Sequence, residues 1–508
     1  MSPVFARFVR RPHLHTPLVA LALACGAACG DPDVENDVVD DVVDVPDAPI
    51  EVDPARFVPP ADAFDCGGGV SCFFVDVPVD PAEPDGDTIQ IRAGFLPARS
   101  ANPIGILAVN FGGFGGPGVP VLQGWAASVP ELHENFHALT WDPRGSGGST
   151  PLTCTSDFAA VMAAAGPLTT LAEAEAQVDV RRTFLDGCRA QHGSMIDHMG
   201  YRVHAADLDA VRAALDVPRL NFLGYSAGTA LGQAYAEFYP EHLNRVAWDS
   251  SIVAHGGART FMKYQAPEAA VAVNDFATFC ASAPECTFGD PIEAIESVLA
   301  DADAGTLTRG DGTPLTWLAA AYGIVLPLYQ PSGYSLLVDA LTDALDGDGA
   351  VLESLSNAYN SSETSGAVAS SALVYFLTNC AEELAPTSAQ DALDANQAYS
   401  LFSALGPVYA TDHAWCAALG APLDPLGVAM TAPDVEQTIL VMQSAKDLAT
   451  PLAAGEEVVG NIENARLVIH DGAGHTPSTF NRCMANVLND YLVRGVVPAE
   501  GTHCPSEG

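Results

Sequence analysis

Lysine is almost missing from this chain. Among 508 residues it occurs only at Lys263 and Lys446, and Lys plus Arg total 21 against 63 Asp plus Glu. The resulting formal charge of −42 excludes nucleic-acid binding, because phosphate contacts need clustered basic side chains. Such a surface stays soluble in salt, where screening relieves self-repulsion, and fits a salty habitat. After the first two dozen residues, no run has the length and apolarity of a membrane-spanning helix. There is no Cys-x-x-Cys pair, and no metal site is expected. No obligate protein partner is inferred either.

The N-terminus reads as a processing signal. Arg7, Arg10 and Arg11 precede an apolar run from Leu18 to Ala24, then small residues and Cys25, as in a bacterial lipoprotein signal with a lipid-modified cysteine. Ala22 stands where such signals usually carry Leu, and Cys29 is the second candidate. A plain secretory signal is the competing reading. Asp31 to Asp53 then holds ten acids, no base and no Gly. Like charges this dense repel, so residues 26–60 are expected to form an extended tether. Without a Gly for the sharp turn of a calcium loop, calcium binding is not expected there. Export, to the cell envelope or beyond it, follows from this start.

Ten cysteines come after the tether, an even number suited to an oxidising compartment. Sequential pairing predicts Cys66–Cys72, Cys154–Cys188, Cys280–Cys286, Cys380–Cys416 and Cys483–Cys504, the first and third pairs being closest in sequence.

Short apolar runs predict strands at Phe73–Val79, Thr88–Ala93, Ile104–Asn110, Phe136–Trp141, Leu220–Gly224, Arg245–Trp248, Thr438–Gln443 and Ala465–Ile469. Strands of this kind separated by helices indicate an α/β class: a mostly parallel sheet covered on both faces. Between Asp249 and Asp434 the chain is rich in Ala and Leu with helical periodicity, as at Pro291–Ala302 and Tyr334–Leu345. The expected organisation is a core of residues 61–249 and 435–508, interrupted by a mainly helical cap at 250–434.

Gly224-Tyr225-Ser226-Ala227-Gly228 fits the nucleophile elbow of the α/β-hydrolase fold, a strained strand-to-helix turn flanked by glycines. Ser226 is the expected nucleophile. A serine hydroxyl needs a base, and His475 lies in a loop just past the predicted strand ending at Ile469. Asp447, following Thr438–Gln443, is the candidate to orient the imidazole, and the order Ser, Asp, His is the one this fold uses. Asp471 is nearer to His475 in sequence but shares its loop, and ranks below Asp447. An oxyanion needs preorganised N–H donors. Ala227 supplies one, and Gly113 or Phe114, in the loop Asn110 to Gly118, supplies the other. That loop lacks a terminal Gly-Lys-Ser/Thr, which sets aside a phosphate cradle. A dinucleotide loop is set aside with it, so no cofactor is expected.

Asn110–Gly118, Trp141–Ser149, Gly224–Thr229 and Gly472–Thr476, with the C-terminal pattern from Cys483 to Cys504, together resemble secreted tripeptidyl aminopeptidases and their prolyl-aminopeptidase-like relatives. The resemblance runs roughly from Phe73 to Cys504. It implies Ser226, Asp447 and His475 as a triad, and a site-shaping loop at Asp142–Ser149. In that loop Arg144 is expected to organise structure through bidentate bonds to a carboxylate or to carbonyls. Tyr225 and Asp249 are further site-shaping candidates. Three departures stand out. Phe114 replaces the usual Pro and Pro117 a small hydroxyl residue, Asp249-Ser250-Ser251 replaces the usual Asp-Gly, and no single cap acid among Glu268, Asp275 and Glu382 is marked as the partner of a substrate ammonium.

The leading expectation is therefore a serine exopeptidase acting on short peptides from a free N-terminus. A carboxylesterase or other acyl hydrolase taking small acyl esters uses the same machinery, and a non-catalytic envelope protein on a hydrolase scaffold is the third reading.

Overall fold

The computed structural model describes residues 59–154, 158–359, 370–420 and 425–506. The processing signal and most of the tether lie outside the described residues. Ten strands form one sheet: β1 (Phe64–Asp65), β2 (Ser71–Pro78), β3 (Thr88–Leu96), β4 (Gly105–Asn110), β5 (Phe136–Trp141), β6 (Leu220–Tyr225), β7 (Leu243–Asp249), β8 (Ile439–Lys446), β9 (Ala465–Ala473) and β10 (His503–Cys504). Their spatial order is β1-β2-β3-β5-β4-β6-β7-β8-β9-β10. From β5 across to β10 every neighbouring pair is parallel, whereas β1, β2 and β3 pair antiparallel and β3 joins β5 antiparallel. The antiparallel edge follows from the short connection between β2 and β3, since a parallel pair needs a crossover of a dozen residues or more.

The central strands are buried end to end, as β4 and β6 show. Helices on both faces remove the alternation that a one-sided sheet would display. One apolar cluster lies on the cap side, and a second on the opposite face contains Trp125, Tyr225, Met484 and Tyr491. Among the described residues, no helix is long and apolar enough to cross a membrane.

Among the described residues, eight α-helices stand between β7 and β8, from Gly257–Cys280 to Gly406–Leu419. They do not form the covering layer alone. The helix Leu171–His192, which precedes β6, packs Phe184 against Trp415 with ring centroids 5.9 Å apart and lays the Arg181 guanidinium 5.5 Å from the same ring. Two insertions in sequence thus build one layer in space. Among the described residues, five disulfides join Cys66–Cys72, Cys154–Cys188, Cys280–Cys286, Cys380–Cys416 and Cys483–Cys504. Cys380–Cys416 ties two cap helices together.

Candidate active site

Register brings the strand ends together. Asn110 pairs with Gly224, Tyr225 with Asp249, and Asp249 with Met442. The residues that follow β4, β6, β7, β8 and β9 therefore meet at one edge, where open α/β sheets carry their sites.

Ser226 turns between β6 and the helix Ala227–Phe238 with φ 52° and ψ −127°, outside the regions open to ordinary residues. The flanking glycines are a steric necessity. A Cβ on Gly224 would lie 2.6 Å from the Gly228 carbonyl oxygen, and one on Gly228 would lie 2.6 Å from that of Asn110. The Ser226 N–H donates to the Asp249 carbonyl at 2.9 Å, which holds the strained turn against β7.

His475 Nδ1 lies 2.9 Å from Asp447 Oδ2 and 3.1 Å from Oδ1. The Asp447 side chain is fully buried, a state that a carboxylate reaches only with partners. Ala449 N and Thr450 N donate to Oδ1 at 2.9 and 3.0 Å, while the Thr450 and Ser250 hydroxyls donate to Oδ2 at 2.6 and 2.9 Å. With an ionised carboxylate beside it, Nδ1 carries the imidazole proton and Nε2 is left to accept one. The cap clasps the same histidine. Its N–H donates to the Tyr329 carbonyl at 3.1 Å, Gln330 Nε2 donates to its carbonyl, and the Tyr329 ring stands edge-on at 5.6 Å. Nothing in the sequence marked Tyr329 or Gln330. Asp471 sits on β9, where it meets His503 at 2.6 Å.

The glycine loop lies directly on the elbow. A Cβ on Gly112 would come within 2.5 Å of the Tyr225 carbonyl oxygen, 2.9 Å of Ser226 Cβ and 3.2 Å of Ala227 N. Gly112, Gly113 and Phe114 all have positive φ, at 83°, 65° and 46°. Gly115 N and Gly116 N turn back to the Gly113 carbonyl at 2.5 and 3.2 Å. Among the described residues no acceptor is found for the N–H groups of Gly113 or Phe114. Ala227, at the first turn of its helix, has no intrahelical acceptor. The Phe114 side chain rises into the cap, with Tyr201, Phe261 and Tyr375 at centroid distances of 6.0, 6.0 and 5.0 Å.

Arg144 is fully buried. It grips Asp207 bidentately, with Nε and Nη2 each at 2.7 Å, and donates to the carbonyls of Val79, His198 and Pro78. Tyr225 points to the opposite face of the sheet, where Trp125 Nε1 donates to its hydroxyl at 3.2 Å. Asp249 Oδ2 accepts from the backbone and hydroxyl of Ser478, just past His475. Burial pushes the Asp249 carboxyl up to about 7.

Of the three cap acids named from sequence, Glu382 and Asp275 are bonded elsewhere and Glu268 lies near the site. Glu382 accepts from Tyr201 N and Leu426 N at 2.7 and 2.8 Å, and Asp275 pairs with Lys446 at 2.9 Å. Glu268 lines a small cleft with Asp275, Tyr334, Lys446 and Gly474, and burial raises its carboxyl, helped by Asp447 and Asp275. A different carboxylate, Asp412, reaches the oxyanion loop indirectly. It accepts from the Tyr375 hydroxyl at 2.8 Å, and the Tyr375 ring packs on Phe114. An Asp in a helix buried on nearly every side gives no signal in sequence.

Burial pushes the Asp412 carboxyl up to about 7, against an ordinary value near about 4. The folded chain then binds this proton more tightly than the unfolded chain, so its contribution to stability falls as pH rises from about 4 through about 7. Asp412→Asn keeps an acceptor for Tyr375 and removes that loss. Its melting temperature relative to wild type is expected to be higher at about pH 8 than at about pH 5, read from paired thermal melts. An offset independent of pH would show that Asp412 ionises in the fold without cost.

His133-Glu134-Asn135-Phe136-His137 matches the His-Glu-x-x-His pattern, whose metal chemistry requires both histidines on one helical face. Here the helix ends at Asn135 and His137 belongs to β5. His133 Nε2 bonds the Pro97 carbonyl at 3.0 Å, and His137 Nδ1 accepts from Ala98 N at 3.1 Å. The two imidazoles serve the backbone of residues 97–98. Among the described residues, no group of three or more His, Cys, Asp or Glu could hold a metal ion.

Residues 109–288 match the family model described as alpha/beta hydrolase fold, and residues 402–504 match that of TAP-like protein. The chain is 29% identical to the serine protease Hip1 of Mycobacterium tuberculosis over 90% of this chain and 91% of that protein. It is 35% identical to the tripeptidyl aminopeptidase of Streptomyces lividans, over 36% of this chain and 35% of that one. It is 27% identical to carboxylesterase B of Mycobacterium tuberculosis over 85% and 86% of the two chains.

Proposed function

We propose that this chain, a serine hydrolase of the α/β-hydrolase superfamily related to the TAP-like proteins, cleaves acyl esters through Ser226, His475 and Asp447. The observation that carries the proposal is His475 held through Nδ1 by the buried Asp447, at the sheet edge where Ser226 sits on its strained turn. Ser226 Oγ attacks the ester carbonyl as His475 Nε2 takes its proton. The oxyanion is received by the N–H of Ala227 and that of Gly113 or Phe114. His475 returns the proton to the departing alcohol. It then activates water, which releases the acid and restores Ser226. Every step uses groups of the chain itself.

The aromatic wall of Phe114, Tyr201, Phe261 and Tyr375 suits an apolar acyl group, and two of the cap acids named from sequence, Glu382 and Asp275, are bonded elsewhere. The relatives include both a protease and a carboxylesterase. Cleavage of short peptides from a free N-terminus is the second reading, favoured by Asp412, whose carboxylate is joined to the oxyanion loop through Tyr375. The five disulfides among the described residues support an oxidising compartment and hence an exported enzyme; the signal-like start of the sequence carries the proposal of a lipid anchor at Cys25 or Cys29, with plain secretion as its alternative.

A substrate panel decides between the readings: short acyl p-nitrophenyl esters, and tripeptide p-nitroanilides with free or acetylated amines. The expected result is ester turnover that depends on Ser226, with no preference for a free amine among the anilides. A drop of about tenfold or more on acetylation is what loss of a charge-assisted bond produces. If Asp412→Asn erased such a drop, the peptidase reading would replace the ester reading, with the same three residues in the same roles.

A further inference from the structure

The resembled family carries Asp-Gly after the strand next to the nucleophile strand, and this chain carries Asp249-Ser250. Ser250 has φ +61°. Glycine takes that conformation freely, whereas a Cβ makes it costly. A serine kept there implies that its hydroxyl is used. The side chain is fully buried, so its bonds do not compete with bulk water. Its Oγ donates to Asp447 Oδ2 at 2.9 Å and accepts from Thr476 N, the residue after His475, at 2.7 Å. Its own N–H donates to the Met442 carbonyl on β8 at 2.8 Å, while the preceding Asp249 carbonyl receives the Ser226 N–H. One hydroxyl thus links the acid to the loop of the base, on a backbone already bound to the nucleophile.

We infer that Ser250 is a positioning residue that fixes Asp447 and the His475 loop relative to each other, so that the imidazole is aimed at Ser226. This rests on the reading of those three residues as catalytic. A hydroxyl is needed because both bonds, one given and one received, must be made by a single buried atom. Glycine at this position would relax the backbone and leave the two loops joined through the Asp447–His475 contact, the Thr450 hydroxyl and the bond from the Gly474 N–H to the Lys446 carbonyl, none of which ties Asp447 to the residue after His475.

The test separates the hydroxyl from the backbone strain. Ser250→Gly removes both, whereas Ser250→Ala removes the hydroxyl and keeps the strain. On a p-nitrophenyl acyl ester, both variants are expected to lose about tenfold or more in kcat, with KM within about twofold of wild type. The glycine variant should nevertheless melt several degrees above the alanine variant. A purely structural residue would make kcat follow the melting temperature, leaving glycine close to wild type. In an Asp447→Asn background, Ser250→Gly should cost little more, because the two act as one unit. Wild-type kcat in Ser250→Gly overturns the inference, as does a full further tenfold loss in the Asp447→Asn background. Failure of both single variants to fold makes the residue structural and overturns it too. Turnover that survives Ser226→Ala overturns the reading of the site and this inference with it, whereas Ser226-dependent turnover with normal kcat in Ser250→Gly overturns the inference alone.

Discussion

Ser226→Ala is expected to lower kcat/KM on acyl esters by about 10⁴ to 10⁶-fold with little change in melting temperature. The loss is large because the hydroxyl is the reacting atom. What remains is catalysis by the oxyanion donors and by binding, which elsewhere leaves a residual of roughly 10³ to 10⁴ over water. Stability should hold because alanine and serine share the Cβ that the turn at φ 52° must accommodate, and the bonds that secure the turn are made by its backbone. A fluorophosphonate probe should label wild type at Ser226 and leave the variant unlabelled. Labelling at another serine, or activity within about tenfold of wild type, would remove Ser226 from its role. Ser226→Gly should be equally inactive yet more stable, since glycine occupies the turn without strain.

Asp447→Asn should cost about 10⁴-fold in kcat, the size seen when the equivalent change is made in a serine protease triad. The geometry explains why an isosteric amide fails. Oδ1 of Asp447 receives two backbone N–H groups, from Ala449 and Thr450, so the amide oxygen of an asparagine must stay there. Its NH₂ group then occupies the place of Oδ2 and points at His475 Nδ1. An N–H donor there forces Nδ1 to accept and puts the imidazole proton on Nε2, where it cannot take the proton of Ser226. One of the Thr450 and Ser250 hydroxyls can rotate to accept the second N–H of the new amide, so the fold should survive, and circular dichroism should match wild type. Asp471→Asn is the control, because that carboxylate meets His503 on the exposed surface. A comparable loss there, with Asp447→Asn close to wild type, would reverse the choice of acid.

The elbow and the glycine loop were legible because backbone sterics over a few residues dictate them. A residue at positive φ between a strand and a helix leaves no room for a Cβ two positions away on either side, so Gly224 and Gly228 announce Ser226. The same holds for Gly112, although its contact partner lies more than a hundred residues away, since a glycine run is visible whatever it touches. The longer strands were legible as apolar runs, with ends misplaced by a few residues at β3, β8 and β9, whereas the two-residue edge strands β1 and β10 are too short to form a run and were missed. β9 ran on through Ala473 because its edge is paired with β8 as far as Lys446, a cross-strand fact that no run of residues records.

The His133–His137 string shows the converse. A pattern that requires one continuous helix was present in letters, but the chain passed from helix to strand in the middle of it, and the histidines were taken up by the backbone of residues 97–98.

By itself the sequence determined what short-range sterics and covalent spacing can determine: the strained serine turn, the parallel core and the helical insertion. Tertiary structure alone decided which groups meet across long separations. It gave Arg144 to Asp207, seated Glu382 on two backbone N–H groups, buried Asp412 behind Tyr375 and closed Tyr329 and Gln330 on His475. It also turned Ser250, which in sequence is only a missing glycine, into the link between acid and base. The physical reason is that a local motif is enforced by its own backbone, whereas a buried polar group is satisfied by whichever partner packing delivers, from anywhere in the chain.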